Sequence, residues 1–94
     1  DQYIANMCDG ALAGFKYFDL RATKEISVAV KGHAEGTLHV RTSENGKAVA
    51  SISVSPCREV KEFKTPLKVS GSREALFFTF EGKGSFDFIS FTLK

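Results

Sequence analysis

The sequence predicts an all-β domain, a two-sheet antiparallel β-sandwich with no long helix. Three observations carry that expectation. Apolar residues recur with period two through most of the chain, and they are mainly β-branched or aromatic types that suit a pleated, half-buried surface. Turn signals rich in Gly and Asn separate these segments at roughly eight- to twelve-residue intervals, the spacing of a sandwich.

Taken in order, the segment Gly14 to Leu20 places Phe15 and Tyr17 on one face and Phe18 and Leu20 on the other. Ile26, Val28 and Val30 point inward while Ser27, Ala29 and Lys31 point outward. Leu38 and Val40 oppose His39 and Arg41, and Ala50, Ile52 and Val54 alternate with Ser51, Ser53 and Ser55. Phe63, Leu67 and Val69 share a parity, as do Leu76, Phe78 and Phe80, then Ile89, Phe91 and Leu93. Seven strands are expected from this pattern. Asn45-Gly46 is the strongest turn signal, because both residues tolerate the positive φ of a type I′ hairpin, so the strands carrying Val40 and Ile52 should pair antiparallel. Val60, Phe63 and Leu67 also fit helical spacing, but Pro66 would end such a helix within two turns. A loop passing into a strand is the expectation there.

At 94 residues, with 43% apolar and 26% charged side chains, the chain has the composition of one small folded domain spanning 1–94. A net charge of +2 with scattered basic residues gives no electrostatic footprint for nucleic acid. No apolar run reaches the length of a membrane span, and no signal-peptide pattern opens the chain. No membrane partner is expected. Beginning at Asp1, the sequence reads as a piece excised from something longer. Cys8 and Cys57 lack metal-ligand spacing and are expected as two free thiols in preference to a bridge.

No catalytic constellation emerges from the residues. His33 lies beside a turn and His39 at an outward strand position, each without a nearby acidic orienter in sequence. Asp9, Asp19, Glu81 and Asp87 could supply a carboxylate pair for glycoside hydrolysis, but a sandwich this small leaves little room for the pocket such a pair requires. Binding is the better-supported class. Nine Phe and two Tyr exceed what a small core needs, and aromatic faces stack on sugar rings as well as fill cores. Phe77, Phe78, Phe80, Phe86, Phe88 and Phe91 are assigned to the core. Tyr3, Phe15, Tyr17 and Phe63, nearer strand ends, are the candidate ligand aromatics. Trp is absent.

The block Gly14-Phe15-Lys16-Tyr17-Phe18-Asp19 and the closing Asp87-Phe88-Ile89-Ser90-Phe91 resemble the β-sandwich that follows the catalytic propeller in many family 43 glycoside hydrolases. That module is similar to family 6 carbohydrate-binding modules, and the resemblance runs over nearly the whole chain. It implies a jelly-roll, galactose-binding-like fold and a non-catalytic accessory role in a secreted or periplasmic bacterial xylosidase or arabinofuranosidase. The implied partners are a plant cell-wall oligo- or polysaccharide and the catalytic domain of the same parent chain. An alternative is a structural appendage that packs on the propeller and binds no sugar. The family's sugar-stacking Tyr falls at Phe15, with Tyr17 beside it. Its Trp falls near Val60 or Phe63, and its hydrogen-bonding Asn near Ser85. Asp87 matches a calcium-binding Asp of such modules, whose companion acidic residues would precede Asp1.

Overall fold

The computed structural model describes residues 4–43, 46–69 and 71–94. It contains eight strands: β1 (Ile4–Cys8), β2 (Leu12–Phe18), β3 (Glu25–Gly32), β4 (Glu35–Arg41), β5 (Ala48–Val54), β6 (Cys57–Pro66), β7 (Glu74–Lys83) and β8 (Ser85–Leu93). Two four-stranded sheets form, one in the order β1-β8-β3-β6 and the other in the order β2-β7-β4-β5, with every pairing antiparallel. Among the described residues no helix forms. The sandwich read from the period-two pattern is therefore the fold.

Alternation fills the space between the sheets. Ile26, Val28 and Val30 from β3 meet Leu38 and Val40 from β4, Ile52 and Val54 from β5, and Leu76, Phe78 and Phe80 from β7, all buried. The β4–β5 hairpin forms as expected, with Leu38 opposite Ile52 and Val40 opposite Ala50. Asn45 itself lies outside the described residues. At the other end of β4, Gly36 faces Gly82 of β7. A Cβ on Gly36 would come within 2.7 Å of the Gly82 Cα and strike the Glu81 carbonyl. Only glycine allows this approach.

Five expectations are corrected. An eighth strand, β1, had been missed; its Met7 is 1% exposed and packs in the core. The region from Cys57 onward is a ten-residue strand, not a loop. It ends at Pro66, so Leu67 lies beyond it and is buried from the connection that follows. A register shift in β2 between Phe15 and Phe18 separates Phe15 from Tyr17, burying the first and exposing the second. Phe77 is on the outer face, where its ring covers Gly14. A second irregularity, in β8 near Ile89, changes the parity of that strand, so both Phe88 before it and Phe91 after it reach the core.

The sheet also decides the thiols. Cys8 stands opposite Ser85, while Gly32 stands opposite both Phe86 and Cys57, so the cysteines occupy β1 and β6 at the two edges of one sheet. Three inter-strand spacings amount to roughly 14 Å, about twice the Cα separation that a disulfide spans. Both remain free.

Candidate functional site

A cleft of about 580 Å3 opens between β2 and β8, where an edge of one sheet lies over the other. The strand order explains it. β2 is the outermost strand of its sheet, and among the described residues β1 pairs with β8 as far as Ile4 opposite Phe88. Among the described residues, the second half of β8 thus has β3 as its only partner strand. Phe15, Phe18 and Phe91 form the floor. Phe15 is 8% exposed and belongs to the core, whereas Phe18 and Phe91 are half-buried and stand edge to face at 5.6 Å. Lys16, Ser90 and Thr92 also line the cleft as its polar residues. The result is an apolar floor with a few polar groups around it, a common design for small-molecule and sugar sites.

The structure scatters the residues nominated from the sequence. Phe15 reaches this cleft as part of its floor, but it is too buried to present a stacking face. Tyr17 is 51% exposed, yet the Arg73 guanidinium stands 4.2 Å from its ring centre and the Lys16 ammonium 5.7 Å away. Phe63 is on β6 beneath the Lys61 ammonium at 5.2 Å, and Val60 is exposed on the same strand. Phe63, Val28 and Phe91 occupy one cross-strand row, and Val28 between them is wholly buried. No cleft can join Phe15 to Phe63 across that row. Ser85 begins β8, five residues and so roughly 17 Å from Ser90, where its carbonyl accepts the His33 N–H. Tyr3 lies outside the described residues.

Each candidate carboxylate proves to be tied into the scaffold. Asp9 accepts the Gly82 N–H at 3.0 Å and Asp87 accepts the Asn6 N–H at 3.1 Å. The second bond satisfies the β1 backbone where its register shifts and Asn6 adopts φ 56°. Asp19 is bound by both the side chain and the backbone of Arg21, and these hydrogen bonds lower its carboxyl from 3.8 to about 2. Glu81 meets His39 Nε2 at 3.1 Å, and His39 Nδ1 lies 3.3 Å from the Ser51 hydroxyl. Sequence reading found no orienter for His39 because Glu81 is 42 residues distant; adjacent strands bring them together. The Glu81 side chain is 78% exposed, so this outer-face network is solvated and lacks the dry surroundings that make such a triad nucleophilic.

The donor set around Asp87 does not fit calcium. Calcium takes six to eight oxygen ligands, whereas Asp87 has a backbone N–H donor at one oxygen and Lys31 opposite it on β3. Among the described residues, no group of three potential metal ligands converges.

The residues that sequence reading missed are Phe18, Ser90, Phe91 and Thr92. The available signal was the broken alternation in Phe86-Asp87-Phe88-Ile89-Ser90-Phe91, which places apolar residues on both parities of a single strand. A bulge is the physical resolution of such a pattern, and bulges occur beside sites.

No family model matches the chain. A xylosidase/arabinosidase of Thermoclostridium stercorarium is 42% identical over 91 residues, covering 97% of this chain and 19% of that protein. The chain thus spans about a fifth of the relative's length. Two solved structures superpose with a TM-score of 0.86. One is a family 6 carbohydrate-binding module of Clostridium stercorarium in complex with cellobiose, at 14% identity over 98% of this chain and 72% of the other. The second is a family 43 arabinoxylan arabinofuranohydrolase of Bacillus subtilis in complex with cellotetraose, at 20% identity over 100% of this chain and 21% of the other. A β-1,3-glucan-binding family 6 module of Bacillus halodurans superposes at 0.82 with 15% identity, over 94% of this chain and 72% of that one. The class is thereby defined at the level of fold: a β-sandwich with the fold of family 6 carbohydrate-binding modules. At 42% identity the chain is similar to one segment, about a fifth, of a protein described as a xylosidase/arabinosidase.

Proposed function

We propose that this chain is a carbohydrate-binding accessory domain that holds a xylan or arabinoxylan chain in the cleft between β2 and β8. The observation that carries the reading is the half-buried Phe18–Phe91 pair in a cleft that Ser90 and Thr92 also line. An apolar ring edge with hydroxyls beside it matches the two surfaces of a pyranose, one of C–H groups and one of hydroxyls. Support for the polysaccharide comes from the xylosidase/arabinosidase relative and from module neighbours solved with glucan oligosaccharides. The parent enzyme then acts on plant cell wall outside the cytoplasm, and the module keeps its catalytic domain near the polymer.

Titration calorimetry with xylo- and arabinoxylo-oligosaccharides tests the reading. Saturable heat, with amide shifts confined to Lys16, Phe18 and Ser90–Leu93 in NMR spectra, is the expected result. Silence at millimolar ligand would overturn it in favour of a second reading, a structural appendage that stabilises the catalytic domain. One observation favours that second reading: the rings of Tyr17 and Phe63 are engaged by cations of this chain and offer no bare platform.

A further inference from the structure

The charge that lines the cleft is positive. Lys16 is the charged residue in its walls, and its ammonium lies 5.7 Å from the Tyr17 ring, which also holds the Arg73 guanidinium at 4.2 Å. Tyr17, left half-exposed by the β2 irregularity, therefore links two cations and stands in sequence between the cleft residues Lys16 and Phe18. Among the described residues neither cation has a carboxylate within 4 Å. Two other arginines are engaged: Arg21 holds Asp19, and Arg41 bonds the Gly46 carbonyl and the Thr79 hydroxyl. Of the nearby carboxylates, Asp19 is neutralised by Arg21, and Glu74 is folded over Gly71, where its Cδ would lie 2.8 Å from an added Cβ.

A guanidinium stacked on an aromatic ring keeps its in-plane N–H fork available, and that fork matches a carboxylate bidentately. We propose that Arg73, braced on Tyr17, and Lys16 select an acidic saccharide: a sugar chain bearing a uronate whose carboxylate meets these two cations while neutral rings occupy the Phe18–Phe91 floor. The inference rests on the carbohydrate-binding reading above and adds the chemical class of the ligand. An exposed tyrosine here holds a cation in place of stacking on a sugar. That assignment accounts for both the exposure of Tyr17 and its occupied ring.

The test compares xylotetraose with the same backbone carrying one glucuronate branch, each titrated at low and at 0.5 M salt, a range that screens charge pairs near the surface. About tenfold tighter binding of the uronate ligand is expected, as for a hydrogen bond to a charged group. The preference should shrink in salt and vanish in Arg73→Gln and Lys16→Gln, whose fold is checked by circular dichroism and thermal melting. Equal affinity for the two ligands would overturn this inference and leave the carbohydrate-binding reading intact. A uronate preference that survives Arg73→Gln together with Lys16→Gln would overturn the residue assignment. Absence of binding to either ligand would sink both readings.

Discussion

Phe91 lies 5.1 Å from Phe15, ring centre to ring centre, so the floor of the cleft and the centre of the core share one aromatic cluster. Phe78 extends it, edge to face with Phe15 at 5.7 Å and with Phe88 at 4.9 Å. A ligand in the cleft therefore rests on rings continuous with the buried aromatic cluster of the core. Such a floor is held in place before binding, which lowers the entropic cost of association.

Phe78→Ala should be the most damaging of the conservative core truncations. Phe78 is wholly buried and contacts aromatic rings from both sheets. A loss of about 3–5 kcal/mol in urea unfolding is expected for removing such a ring. A loss below about 1 kcal/mol would mean that the cluster is loosely packed.

Asp87→Ala should loosen β1 without harming the rest of the sheet. The Asn6 N–H loses its acceptor where β1 departs from regular register, and a deleted hydrogen bond to a charged group is worth about 1–3 kcal/mol. Hydrogen exchange is the direct readout: faster exchange at Asn6 and Met7, with little change along β3 and β4.

Asp19 and Arg21 predict an acid-side titration. The folded carboxyl is lowered from 3.8 to about 2, chiefly by the Arg21 side-chain hydrogen bond and then by its backbone N–H. A lowered folded value means that the pair stabilises the fold fully at pH values above 3.8, and that this contribution fades as pH falls through about 2. Because both groups are exposed, the direct measurement is the carboxyl carbon shift of Asp19 followed against pH. Arg21→Ala should return its midpoint toward 3.8.

Gly36→Ala should unfold or severely weaken the β4–β7 pair. The added methyl would be driven into the backbone at Glu81 and Gly82, where no side chain can rotate away. Overpacking typically costs about 1–3 kcal/mol, and a rigid backbone neighbour places this case at the upper end. Thermal melting of the variant provides the check, and an unchanged midpoint would contradict the close approach.

Both cysteines should titrate as thiols under native, oxidising conditions. Exposed Cys8 should react with a disulfide reagent faster than half-buried Cys57, which packs against the core beside the Val30 carbonyl. Mass analysis after mild oxidation should find no Cys8–Cys57 bridge within one chain.

The sequence by itself determined the sandwich, its inward faces on β3, β4, β5 and β7, and the β4–β5 hairpin. Strict period-two alternation leaves a half-buried strand only one sensible orientation, so local pattern and global fold agree there. Alternation fails at an irregularity, and each misread element has that origin: the shift after Phe15, the parity change near Ile89 and the early start of β6. A bulge costs one residue of register, and its trace in the sequence is at most a break in alternation such as that over Phe86 to Phe91. Tertiary packing alone settled which strands became edges, and that Glu81 meets His39 and Arg73 meets Tyr17. Those pairings join residues tens of positions apart, and the order of strands in a sheet, which brings them together, is set by how whole faces pack and not by any local run of residues.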